Sequence, residues 1–164
     1  MDTSNKKVSK QPNNLLVSTV IITSCLFLFC CAFPRIIVLD DPLTPEEHLN
    51  LGVLYEKNSE QDNALKEYKT ASKKLPVAYL YMGNIYYYKE DFDKAEYYYR
   101  EALDKDSGNA DAYNNLAWLY YIKKKNLDEA ETLSLKAIEL NPAKKDIYKD
   151  TLEKIRLIKD QHME

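Results

Sequence analysis

Apolar and small residues recur along this chain at three- and four-residue intervals, the spacing of one face of a helix. Between Pro76 and Asn109, Tyr79, Met82, Gly83 and Tyr86 share such a face. After a polar turn at Lys89 to Asp91, Ala95, Tyr99 and Ala102 make a second face. Small residues set against large ones suit two antiparallel helices that interlock at short distance, and Gly83 has no side chain to hold the other helix away. The order returns upstream as Leu51-Gly52, Tyr55, Ala64, Tyr68, Ala71 and Pro76, and downstream as Leu116-Ala117, Tyr120, Ala130, Ala137 and Pro142. A last amphipathic stretch, Ala143 to about Lys159, carries Ile147, Tyr148, Leu152, Ile155 and Ile158 on one face and lysines over the other.

A tandem period of about 34 residues with small and aromatic residues in this order resembles the tetratricopeptide repeat. The resemblance runs from Pro45 to Pro142. It implies an all-α protein, a right-handed α-solenoid of three helix-turn-helix repeats within residues 44–142 (45–75, 76–109 and 110–142). Residues 143–164 would supply a capping helix and tail that cover the open end of the stack. Four departures stand out. Gly52 to Gly83 is three residues short, so the loop at Lys74 to Val77 is expected to be clipped. Tyr120 to Ala130 is one residue long, so the turn at Lys123 to Asn126 is expected to carry an insertion. Ser107 replaces the family's proline, and Ser134 replaces its large aromatic, which thins the packing of the third repeat. Thr44-Pro45-Glu46-Glu47 reads as a capped helix start with a capping box. Asn126 and Asn141 offer weaker versions of the same start.

In the family the resemblance points to, the first helix of each repeat builds a concave face that holds an extended peptide or a partner helix. By register that face would carry Leu49, Val53 and Glu56, then Leu80, Asn84, Tyr87 and Tyr88, then Asn114, Trp118, Tyr121 and Ile122. The candidate binding residues are Leu80, Asn84, Tyr87, Tyr88, Asn114, Trp118 and Tyr121. The asparagines would bond a peptide backbone, and the aromatic residues would grip apolar side chains while offering polar tips. Packing within the domain is the competing reading for the tyrosines. Leu49 and Val53 stand where chaperone-binding members place Lys and Asn, so that ligand is not expected.

Upstream of the repeats, residues 1–14 are polar and basic. Residues 15–33 are almost entirely apolar and uncharged, about 28 Å as a helix and so close to a bilayer core. Residues 34–43 form a linker. An uncleaved signal anchor is the favoured reading of this region. A cleaved signal with Cys31 and Ala32 near the cut, and a lipoprotein signal at Cys25, are the alternatives. Lys6, Lys7 and Lys10 against Asp40 and Asp41 predict a cytoplasmic N-terminus and extracytoplasmic repeats, periplasmic on a bacterial inner membrane. A eukaryotic source would allow a mitochondrial receptor-like topology with cytosolic repeats.

Composition narrows the function. A formal net charge of −3, with acidic residues in excess from Asp41 onward, argues against nucleic acid as a partner. All three cysteines fall in the apolar N-terminal stretch and give neither a disulfide framework nor metal-ligand spacing. The two histidines, His48 and His162, stand apart, and no Gly-rich phosphate loop or nucleophile pair is present. No enzyme activity, cofactor or metal is expected. The sequence predicts a membrane-anchored adapter that binds a protein or peptide in its groove. The alternatives are a self-associating structural membrane protein, a homo-oligomer built on the outward Tyr97 and Tyr98, and an accessory subunit of a bacterial export or peptidase system.

Overall fold

The computed structural model describes residues 41–162, and everything said of the structure concerns these. Seven α-helices follow one another: α1 (Pro45–Lys57), α2 (Gln61–Ala71), α3 (Val77–Tyr88), α4 (Phe92–Lys105), α5 (Ala110–Lys123), α6 (Leu127–Leu140) and α7 (Lys145–His162). They pack as three antiparallel pairs, α1 with α2, α3 with α4 and α5 with α6. Each pair stacks on the next through α2–α3 and α4–α5, and α7 closes the stack against α6 and α5. None of the described helices is long and apolar enough to cross a membrane. The expected spanning segment, residues 15–33, lies outside the described residues.

Within each of the first two pairs a glycine decides the spacing. A Cβ added to Gly83 would sit 2.5 Å from the Tyr99 ring, and one added to Gly52 would clash with the Tyr68 ring in the same way. Both tyrosines are buried, lying flat on backbone that no side chain covers. The third pair makes the opposite choice. Ala117 and Ser134 stand at these positions, both fully buried, and Ile155 of α7 joins the core cluster that holds Ala117 and Ala130.

No described glycine has a positive φ, so the turns rely on other residues. Each first helix ends in the same two-bond motif. The amides of Glu60, Asp91 and Lys125 donate to the carbonyls of Tyr55, Tyr86 and Tyr120, and those of Ser59, Glu90 and Lys124 to Glu56, Tyr87 and Tyr121. Ser59, Glu90 and Lys124 adopt the left-handed conformation that this motif requires. The insertion expected in the third turn appears as a second left-handed residue, Asn126, with φ 51°.

Thr44 accepts from the Glu47 amide while Glu47 accepts from the Thr44 amide, the expected capping box. Asn126 makes no side-chain cap, because its left-handed backbone turns the side chain away from the helix amides. Asn141 makes none either. A 3₁₀ turn, Pro142–Lys144, intervenes, and α7 starts at Lys145 rather than Ala143. The three missing residues of the first repeat are not taken from its loop. Residues 72–76 separate α2 from α3, and the helix itself is short, with 11 residues where α4 and α6 each have 14. On α7, Tyr148, Leu152 and Ile155 are buried, together with Thr151, whereas Ile147 is exposed.

Candidate functional site

Helices α3 and α5 lie side by side and present Asn84, Tyr87 and Tyr88 next to Asn115 and Trp118. With Tyr99 from α4 they line a pocket of about 210 Å³. The Tyr99 hydroxyl donates to Asn84 Oδ1 at 3.0 Å, and Asn115 Nδ2 donates to the same oxygen at 2.9 Å. Two donors on one carbonyl fix the orientation of the Asn84 amide. Its Nδ2 meets no acceptor among the described residues and is left to donate into the pocket. Trp118 Nε1 donates to the Tyr87 hydroxyl at 2.8 Å, which ties α5 to α3. The indole also packs on Tyr121, with ring centroids 4.9 Å apart, and Lys154 of α7 lies 5.0 Å from its ring centre. No charged residue lines the pocket.

The seven candidate residues therefore part company. Asn84, Tyr87, Tyr88 and Trp118 line the pocket. Tyr121 stands beside it through its contact with Trp118. Leu80 is 7% exposed and belongs to the core, because the neighbouring repeat packs over it. Asn114 is half-buried with its Oδ1 unpartnered and lies outside the lining. The Trp118 N–H is bonded within the domain, so this residue offers its apolar surface and no free donor. Asn115 and Tyr99 escaped the sequence reading. Their signal lay in the spacing of partners across repeats: Asn84 meets Asn115 and Tyr87 meets Trp118, each 31 residues on.

Burial pushes the Tyr99 hydroxyl far above the ordinary tyrosine range, so it stays protonated and keeps donating to Asn84 at any physiological pH. The Tyr68 hydroxyl is raised likewise, first by burial and then by its bond to Glu56, at 2.8 Å. Elsewhere, His48 is buried between two carboxylates, with Nδ1 2.6 Å from Glu67 and Nε2 3.1 Å from Asp41. Among the described residues no hydroxyl nucleophile bonds to it, and its contacts tie the start of the described chain to α2. Among the described residues no cluster of His, Cys, Asp and Glu could hold a metal.

Residues 80–144 match the family model of the tetratricopeptide repeat. A human protein O-mannosyl-transferase, TMTC2, is 35% identical over 101 residues, 58% of this chain and 12% of that protein. Human tetratricopeptide repeat protein 6 is 35% identical over 85 residues, half of this chain and 16% of its own length. The chain thus spans a small part of the curated relatives it matches. Among solved structures, the first tetratricopeptide domain of Spaghetti (RPAP3), bound to the HSP90 peptide SRMEEVD, superposes with a TM-score of 0.63 at 21% identity. That match covers 72% of this chain and 94% of the other. The Cut9 and Hcn1 assembly of APC/C superposes with a TM-score of 0.60 at 19% identity, over 87% of this chain and 26% of that one. These likenesses show the fold, a stack of antiparallel helix pairs like that of tetratricopeptide repeat domains, with residues 80–144 matching the repeat itself.

Proposed function

We propose that this chain is a membrane-anchored tetratricopeptide repeat adapter that holds an extended segment of a partner protein along α1, α3 and α5. The observation that carries the reading is the uncharged, aromatic pocket between α3 and α5, with a fixed amide donor at Asn84. About 210 Å³ is room for one apolar side chain of the partner, and Asn84 Nδ2 suits a backbone carbonyl beside it. The RPAP3 domain, similar in fold, was solved with a peptide bound, which supports a peptide ligand here. Anchoring rests on the apolar residues 15–33, and an extracytoplasmic placement on the basic residues before them. The protein acts by binding, without catalysis.

A pull-down from detergent-solubilised native membranes tests the reading. Full-length wild type is compared with an Asn84→Ala, Trp118→Ala, Tyr121→Ala variant whose fold is checked by circular dichroism. The expected result is a partner retained by the wild type and lost by the variant. Identical sets of proteins from both baits would overturn the groove as the working site. For the anchor, alkaline carbonate extraction of native membranes is expected to leave the protein in the pellet, and release into the supernatant would overturn it.

A further inference from the structure

On another face of the domain, α2, α3 and α4 enclose a second groove of about 300 Å³. Met82 and Tyr79 of α3, with Tyr97 and Tyr98 of α4, supply its apolar surface. Lys69 of α2 with Ser72 and Lys73 just beyond it supply a polar rim, and no carboxylate lines it. Tyr98 is held by stacking on Tyr86, with centroids 5.2 Å apart and planes 6° from parallel. Tyr97 stands edge-on to Tyr98 and is 57% exposed. Neither Lys69 nor Lys73 meets a carboxylate within 4.0 Å among the described residues. Two ammonium groups with no carboxylate beside them thus border one aromatic groove.

The corresponding seam one repeat later shows what a closed version looks like. By register, Lys69, Ser72 and Lys73 become Arg100, Leu103 and Asp104, and Tyr97-Tyr98 become Thr132-Leu133. Leu103 packs against the core, Arg100 bonds to the Tyr120 hydroxyl and to Glu129, and Asp104 pairs with Lys105. The second seam is filled and its charges are paired. The first is left open where α2 ends a turn early, beside the half-buried Tyr79 and the edge of the largely buried Met82.

We propose that the groove bounded by Lys69, Lys73, Tyr97 and Tyr98 is a second docking site, for an acidic peptide segment that inserts one apolar side chain among the tyrosines. The uncompensated lysines select carboxylates flanking the anchor residue, and the apolar floor selects the anchor. A recessed groove suits a side chain better than the flat surface of a bilayer. A second copy of this chain, acidic from Asp41 onward, is the other occupant that the test separates.

The experiment uses the full-length protein in detergent and a fluorescent pentapeptide, leucine between two glutamates on either side, followed by anisotropy. The wild type is expected to bind it, more weakly as salt is raised. Replacing the peptide's leucine by alanine, or making Lys69→Glu with Lys73→Glu, is expected to weaken binding at least about tenfold. Trp118→Ala, on the other face, is expected to leave it unchanged. Absence of wild-type binding at about 1 mM peptide overturns the proposal, as does equal binding by the charge-reversed variant or by the alanine peptide. A loss confined to Trp118→Ala would move the peptide to the concave pocket and overturn it too. If the lysine substitutions instead abolish a concentration-dependent oligomer seen by light scattering, or flotation with anionic vesicles, while peptide binding is unaffected, the occupant is a second copy or a lipid surface and the proposal falls. Because this groove and the concave pocket are read out by different variants, either can fail alone.

Discussion

The first two repeats and the third solve one packing problem in opposite ways. In the first two, a glycine on the first helix receives a tyrosine ring from the second, Gly52 with Tyr68 and Gly83 with Tyr99. Each ring also carries a hydroxyl through the helix pair to a polar partner, Glu56 or Asn84. In the third repeat both sides are small, Ala117 with Ser134. The Ser134 hydroxyl is fully buried and finds no partner among the described residues. That repeat is also covered by α7, which buries Tyr148, Leu152 and Ile155. A repeat can therefore be closed by its own aromatic lock or by its neighbour, and this chain uses both.

The largest effect that would expose this difference is removal of α7. Truncation after Pro142 removes the burial contributed by three large side chains, about 2 kcal/mol each, and uncovers the α6 face beneath them. A loss of about 5 kcal/mol or more is expected, read as a fall in the urea midpoint. An unchanged midpoint would mean that the third repeat stands alone. Tyr99→Ala comes next, at about 3–5 kcal/mol, because it empties a filled site beside a glycine. It also takes one of the two donors from Asn84, so the concave pocket should lose its fixed amide along with the stability.

The third test transplants the lock. Ser134→Tyr alone pushes a ring against the Ala117 methyl and is expected to cost about 1–3 kcal/mol. Adding Ala117→Gly is expected to recover part of that loss, and a double-mutant cycle reads the coupling. Strict additivity would show that the two positions do not face each other as Gly83 and Tyr99 do.

How far the sequence revealed this molecule follows from the same comparison. Gly52, Gly83 and the alternation of alanine with tyrosine announced helix pairs, because close packing leaves a residue-by-residue record. Positions within a repeat were likewise readable. Positions across repeats were not. Asn84 and Trp118 are equivalent positions 34 residues apart, yet the bonded partners across α3 and α5 are Asn84 with Asn115 and Tyr87 with Trp118, each 31 residues on. Leu80 was read as groove for the same reason, since its burial comes from the neighbouring repeat. The shortened first repeat was visible as a count, but a count does not say whether a loop or a helix gives way. The short α2, and with it the second groove, is a property of three helices at once.

Electrostatics at the two ends of the stack give a smaller test. Hydrogen bonds from Lys159 and then Arg156 hold the Glu131 carboxyl below its ordinary value of 4.5, and these contacts tie α6 to α7. A group depressed in the folded state contributes stability that is present above its unfolded value and lost as pH falls through the folded one. Acidification below about pH 4.5 should therefore loosen α7 first, by no more than about 1 kcal/mol for so accessible a cluster. Glu131→Gln is expected to flatten this part of the pH profile, followed by hydrogen exchange of α7 amides. The first repeat lacks α7 and should show no such loosening of its own helices from this cause.

The smallest effect lies in the turns, where all three repeats share one conformation without a glycine. Glu90 sits at φ 58°, its amide bonded to the Tyr87 carbonyl, and its side chain is exposed. A side chain costs about 1 kcal/mol in the left-handed region, part of which glycine returns through its looser unfolded state. Glu90→Gly is expected to stabilise the domain by about 0.5 kcal/mol, seen as a small rise in melting temperature. Lys124→Gly should give less, because Asn126, left-handed two residues on, keeps the third turn strained after the substitution. If the two substitutions stabilise equally, the inserted residue carries no strain, and the third turn is as relaxed as the second.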